Sequence, residues 1–129
     1  MIKRAITSIL VNDATVGGLV GLNAAGDRAK IYPIVVPQYE EAPYVAVSVI
    51  GREVVAKGCA DVFSVQVVSY HTQEEGCMEL HEACKTALLT APAATYNGFE
   101  LSLINFTTES DGFSVDAKLY YKIAVYNGQ

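Results

Sequence analysis

At 129 residues the chain has the length of one domain, and a domain this size buries roughly two-thirds of its unfolded surface, so neither a metal nor disulfides are needed to hold it. A net charge of −5 and a pI near 4.9 argue against tight or sequence-specific nucleic-acid binding, although DNA could pass along an acidic wall without sticking. Hydrophobic residues make up 51% of the chain and charged residues 18%, a balance that suggests a partner covers part of the surface.

Ile2, Ile6, Ile9 and Leu10 recur at helical spacing, with Lys3, Arg4 and Thr7 on the other side, which predicts an amphipathic first helix. The apolar run from Ile6 to Val11 is interrupted by Thr7 and Ser8 and is too short for a secretory signal, so the chain is expected to stay in the cytoplasm. Three cysteines fit reduced thiols better than a disulfide framework. Asp13 is placed to cap a second short helix over 14–19, weakened and ended by Gly17, Gly18 and Gly21. Residues 22–28 read as a loop.

The tongue Ile31-Tyr32-Pro33 follows. Prolines at 33, 37 and 43 keep a helix from crossing this region and bias the residue before each of them to extended geometry. Residues 44–50 alternate as a strand, with Val45, Val47 and Val49 on one face. Residues 61–70 repeat the pattern with Phe63, Val65 and Val67. Between them, 51–60 forms a long hairpin tip expected to project from the body.

Residues 74–90 predict a helix whose inner side carries Cys77, Leu80, His81, Cys84, Ala87 and Leu88, and Pro92 marks its end. Residues 99–109 form a strand whose alternation changes frame midway, which a β-bulge or burial on both faces would explain. Asp111-Gly112 is expected to turn a hairpin into a last strand. In that strand Phe113, Val115, Leu119, Tyr121, Ile123 and Val125 share the apolar face, while Asp116, Lys118, Tyr120 and Lys122 share the polar one. The expected fold is α+β: a single antiparallel sheet, or one mixed at an edge, with two main helices on one face, in the order α-β-β-α-β-β.

Three candidate chemistries arise. Cys77, His81 and Cys84 at i, i+4 and i+7 could ligate zinc, with Cys59 or His71 as a fourth ligand. The alternative is a buried face on which cysteine acts as a small hydrophobe, and the absence of a C-x-x-C pair favours it. His71 and His81 beside Asp61, Glu74 or Glu75 could serve as general bases, but no nucleophile accompanies them. Gly17-Gly18 and Gly21 lack the lysine and spacing of a phosphate loop. The expectation is therefore no enzyme, no metal and no cofactor.

The ordered set as a whole resembles the tail-completion family of long-tailed bacteriophages, also called tail terminator or head–tail joining proteins. The resemblance rests on the opening helix and the 14–20 segment, on Ile31-Tyr32-Pro33, and on Ala42-Pro43-Tyr44-Val45 leading into a valine-rich strand. The second strand, the acidic-led helix over 74–89 and the closing hairpin complete it. It covers nearly the whole chain as one domain, 1–129. It implies a homo-oligomeric ring, commonly a hexamer, that caps the finished tail tube and offers the head-joining surface. Partners would be the tail-tube protein and a head-neck connector, and the location the virion tail, reached from the host bacterial cytoplasm. Arg52, Glu53, Val54, Val55 and Lys57 on the long hairpin, with Asp116, Lys118 and Lys122, are the expected interface residues. A different neck component, or a small metal- or ligand-binding regulatory domain, are the alternatives.

Overall fold

The computed structural model describes residues 2–21, 30–33, 42–54, 61–92, 94–96, 99–101, 104–116 and 118–128. Two helices open the chain: α1, Ile2–Asn12, and α2, Ala14–Val20. Ala5, Ile6, Ile9 and Leu10 form the buried stripe of α1. The Asp13 side chain accepts a hydrogen bond from the Val16 amide at 3.0 Å, satisfying one of the donors that a helix start leaves free. Gly21, at φ 71°, ends α2 in a backbone region that a side chain would disfavour. Asp13→Ala is expected to cost about 1 kcal/mol, read from a chemical denaturation midpoint.

One sheet of five strands lies beneath the helices. Its members are β1 (Ile31–Pro33), β2 (Tyr44–Val54), β3 (Asp61–His71), β6 (Ile104–Ser114) and β7 (Leu119–Gly128). Their order is β1-β2-β3-β7-β6. Only β1 runs parallel to its neighbour, pairing Ile31 with Val45; the other contacts are antiparallel. The proline tongue is thus an edge strand, and proline is tolerated there because no further strand needs its amide. The third helix, α3 (Glu74–Leu89), connects β3 to β4 (Ala94–Tyr96) and β5 (Phe99–Leu101), a separate two-stranded hairpin.

Among the described residues the fold is α+β, with the sheet mixed at its β1 edge and the short α2 beside the two main helices; β1 and the separate β4–β5 hairpin are the strands added to the four expected. The frame change over 99–109 has two causes. Residues 99–101 pair with β4 whereas residues 104–114 pair with β7, and the register against β7 shifts between Phe106 and Thr108. Asp111-Gly112 is not the turn. Both residues pair within β6, opposite Lys122 and Tyr121, and the chain reverses over 115–118, where Lys118 takes φ 56°. The glycine answers a different need: a Cβ at 112 would stand 2.5 Å from the Tyr121 hydroxyl. The β2–β3 pairing continues to Val54 and from Asp61, so residues 51–54 of the expected tip belong to β2, and 55–60 lie outside the described residues.

The core lies between the helices and one sheet face. All six inward residues expected on α3 are buried, as are Phe63, Val65 and Val67 of β3. The last strand is in the opposite phase to that expected. Lys122, Ala124 and Tyr126 are buried, while Tyr121, Ile123 and Val125 are half-buried on the face away from the helices. Because the turn interrupts the alternation, residues before it do not fix the phase of residues after it. The large Tyr126 ring does, packing edge-on against Phe106 at 5.7 Å.

Candidate functional site

The densest polar chemistry among the described residues lies where α3 crosses β6 and β7. His81 falls on the inner stripe of α3, four residues after Cys77, and is 1% exposed. Glu109 of β6 is in register with Ala124, so its carboxylate rises from the helix-covered face beneath α3. His81 Nε2 and Glu109 Oε2 are 2.6 Å apart, a short charge-assisted hydrogen bond. The other Glu109 oxygen is 3.8 Å from the ammonium of Lys122, which lies diagonally across the β6–β7 ladder. Phe106 supports the imidazole edge-on at 6.3 Å, and the Lys85 ammonium stands 4.1 Å above that phenyl ring.

Burial pushes the His81 pKa below its ordinary value; the Glu109 carboxylate opposes this and Lys122 reinforces it. The imidazole is accordingly neutral near pH 7. Burial likewise raises both described thiols, Cys84 to about 12. Cys77 Sγ donates to the Ser69 carbonyl at 3.4 Å. Thiols held this far toward the protonated form are poor nucleophiles and poor metal ligands. Cys77 and Cys84 are expected to resist iodoacetamide in the native protein at pH 8 and to react fully in guanidinium, as counted by mass spectrometry.

The zinc candidates do not converge. Cys77, His81 and Cys84 share the buried side of α3, but Cys77 turns to Ser69 and His81 to Glu109; Cys59 lies outside the described residues. The three potential ligands that do come together are His81, Glu82 and Glu109, all within 4.8 Å of one another. The Lys122 ammonium beside Glu109 already supplies positive charge there, so the arrangement is a hydrogen-bond and ion-pair cluster, buried at His81 and Lys122 and open to solvent at Glu82 and Glu109. His71 is on β3, with Nδ1 accepting from the Gln73 amide at 3.0 Å. Its ring fills the space above Gly76, where a Cβ would approach it to 2.3 Å. This contact locks the strand-to-helix corner.

The expected interface residues divide three ways. Arg52, Glu53 and Val54 belong to the far end of β2, whereas Val55 and Lys57 lie outside the described residues. Asp116 and Lys118 are exposed in the turn before β7. Lys122 is buried on the helix side, 8% exposed, and so does not belong to an open polar face. Glu109 escaped the sequence reading. Its signal was positional: a carboxylate at the point where the strand changes frame, opposite a helix bearing an inward histidine.

In comparisons with known proteins, no family model and no curated protein matches the chain. The fold is similar to that of a solved chain from the virion of a native gene transfer agent particle. The two superpose with a TM-score of 0.69 at 18% identity, over 96% of this chain and 90% of that one. This likeness defines the fold: a mixed sheet covered by helices on one face, shared almost end to end with a virion chain.

Proposed function

We propose that the protein is a structural component of a phage or phage-like virion, and specifically a tail-completion protein. It closes as a ring on the end of the tail tube, stops its growth and presents the surface to which the head joins. The observation that supports this best is the fold likeness to a gene transfer agent virion chain over nearly the full length of both.

The architecture supplies plausible contact surfaces. Among the described residues, helices cover one sheet face, and the other presents half-buried Tyr70, Tyr121, Ile123 and Val125. The β1 and β6 edges border the sheet, and β6 carries exposed polar residues from Thr107 to Asp111, which disfavour indiscriminate edge pairing. The β2–β3 hairpin, paired out to Val54 and Asp61, is the arm that would reach a neighbouring subunit. A head-to-tail contact repeated about an axis closes into a ring, whereas a self-complementary one stops at a dimer.

Deleting residues 54–57 tests the arm. The shortened chain is expected to fold, with an unchanged far-ultraviolet circular dichroism spectrum, but to lose ring formation and tail capping in electron micrographs. Intact rings and capped tails from the deleted chain would refute the arm's role.

A further inference from the structure

The outer side of α3 carries an apolar strip in which Leu19 and Ala83 pack partly against the core while Met78 stands clear of it. Between α3 and α2 is a concavity of about 760 Å3 whose apolar lining is Leu19, Met78 and Ala83. Asp13, Glu75, Glu79 and Glu82 contribute to the same lining, and no Lys or Arg does. A second concavity, of about 260 Å3, lies between the start of α3 and the β6–β7 tip. Met78 lines both and joins them. The far wall of the smaller one includes Phe113 and Tyr120, stacked edge-on at 4.7 Å, with carboxylates Glu74 and Asp111 beside them. Its lysine, Lys122, is the one near Glu109.

Met78 is 47% exposed and Phe113 46%, so large apolar side chains stand in solvent along the strip. We infer that this strip docks an amphipathic segment of a partner protein, with apolar side chains along one face and lysines or arginines on its margins. The floor supplies apolar area, and methionine, unbranched and polarisable, adapts to differently shaped side chains. The carboxylate rim selects the sign of the charge that lies over it and speeds encounter with a basic segment. The dimensions suit a helix laid in a groove. A second copy of this chain is a poor occupant face to face, because the acidic rims would then oppose one another. The strip lies on the helix side of the sheet, and its use does not depend on ring closure.

The test is fluorescence anisotropy of the full-length chain with a labelled 18-residue peptide of leucine and lysine at helical spacing, and with its leucine–glutamate counterpart. The lysine peptide is expected to bind, more weakly at 300 mM than at 50 mM NaCl, and the glutamate peptide not to bind. Glu75→Lys with Glu79→Lys and Glu82→Lys should weaken binding at least tenfold. Met78→Gln with Ala83→Gln, which leaves the net charge unchanged, should also weaken it several-fold, with circular dichroism showing each variant folded. Equal binding of both peptides, indifference to the neutral pair of substitutions, or amide-exchange protection confined to the opposite sheet face would overturn the inference. Self-association abolished by the same substitutions would overturn it too, by making a second copy the occupant. A chain that remains monomeric yet binds the lysine peptide leaves this inference standing while the ring reading fails.

Discussion

Tyr126→Ala is expected to destabilise the protein by about 3–5 kcal/mol, the range for removing a large aromatic side chain from a packed core. Tyr126 is fully buried on the helix-covered face of β7 and meets Phe106 edge-on. Truncation leaves a cavity bounded by sheet and helix, and neither can collapse far, since each is held by its own backbone hydrogen bonds. The hydroxyl is a separate matter: it is buried and has no hydrogen-bond partner among the described residues. Tyr126→Phe removes an unsatisfied polar atom while keeping the ring, so it should be neutral or stabilise by up to about 1 kcal/mol. Denaturant unfolding of the two variants separates the contributions. A large loss from the phenylalanine variant would show that the hydroxyl has a partner.

Glu109→Ala is expected to cost about 1–3 kcal/mol at pH 7, because it strands the buried His81 Nε2 without its acceptor. The loss of negative charge 3.8 Å from the buried Lys122 ammonium acts in the same direction. Glu109 is partly exposed, so solvent screens the charge component and the effect stays below that of a fully buried pair. The same cluster sets a pH dependence. His81 titrates below its ordinary value in the fold, while in the unfolded chain it takes up a proton near pH 6.5. Below that pH the unfolded state binds more protons, so stability is complete above about pH 6.5 and falls as the pH drops toward the folded-state value. His81→Gln removes this titration, and the difference in stability between wild type and this variant should shift against the wild type from pH 7 to pH 5. Glu109 holds the imidazole pKa up, so Glu109→Ala should carry the decline to lower pH. A difference that does not vary with pH would contradict the assignment.

What the sequence disclosed followed the strength of its periodicity. The α3 stripe was legible because six inward residues recur over four turns, and Asp13 was legible because a capping carboxylate stands just before a helical run. The phase of β7 was not. Strict alternation on either side of a turn looks continuous in sequence, although the turn resets which face points inward. Tyr121, Ile123 and Val125 seemed the natural core set, and only the packing of Tyr126 under α3 decides against them. Lys122 was misplaced for the same reason, and its burial depends on Glu109, a contact between strands that no local pattern encodes. Gly112 shows a related ambiguity. An Asp-Gly pair signals a turn, but here the glycine makes room for a ring on the neighbouring strand. The tongue's parallel pairing and the small β4–β5 hairpin rest on three-residue strands, too short to show an alternation.

The candidate site was legible in half. The inward histidine on an acidic-led helix could be read. The carboxylate to which it is committed comes from another element and could not. The proposed virion role rests on the order of elements along the whole chain and on the fold likeness, not on any local constellation.

Native mass spectrometry of the purified chain, alone and mixed with tail tubes from the same virion, tests the central claim most directly. The account predicts one closed assembly at an integral multiple of the 13.8 kDa chain, with six copies expected, alone or on the tube. A chain that stays monomeric under both conditions would contradict it.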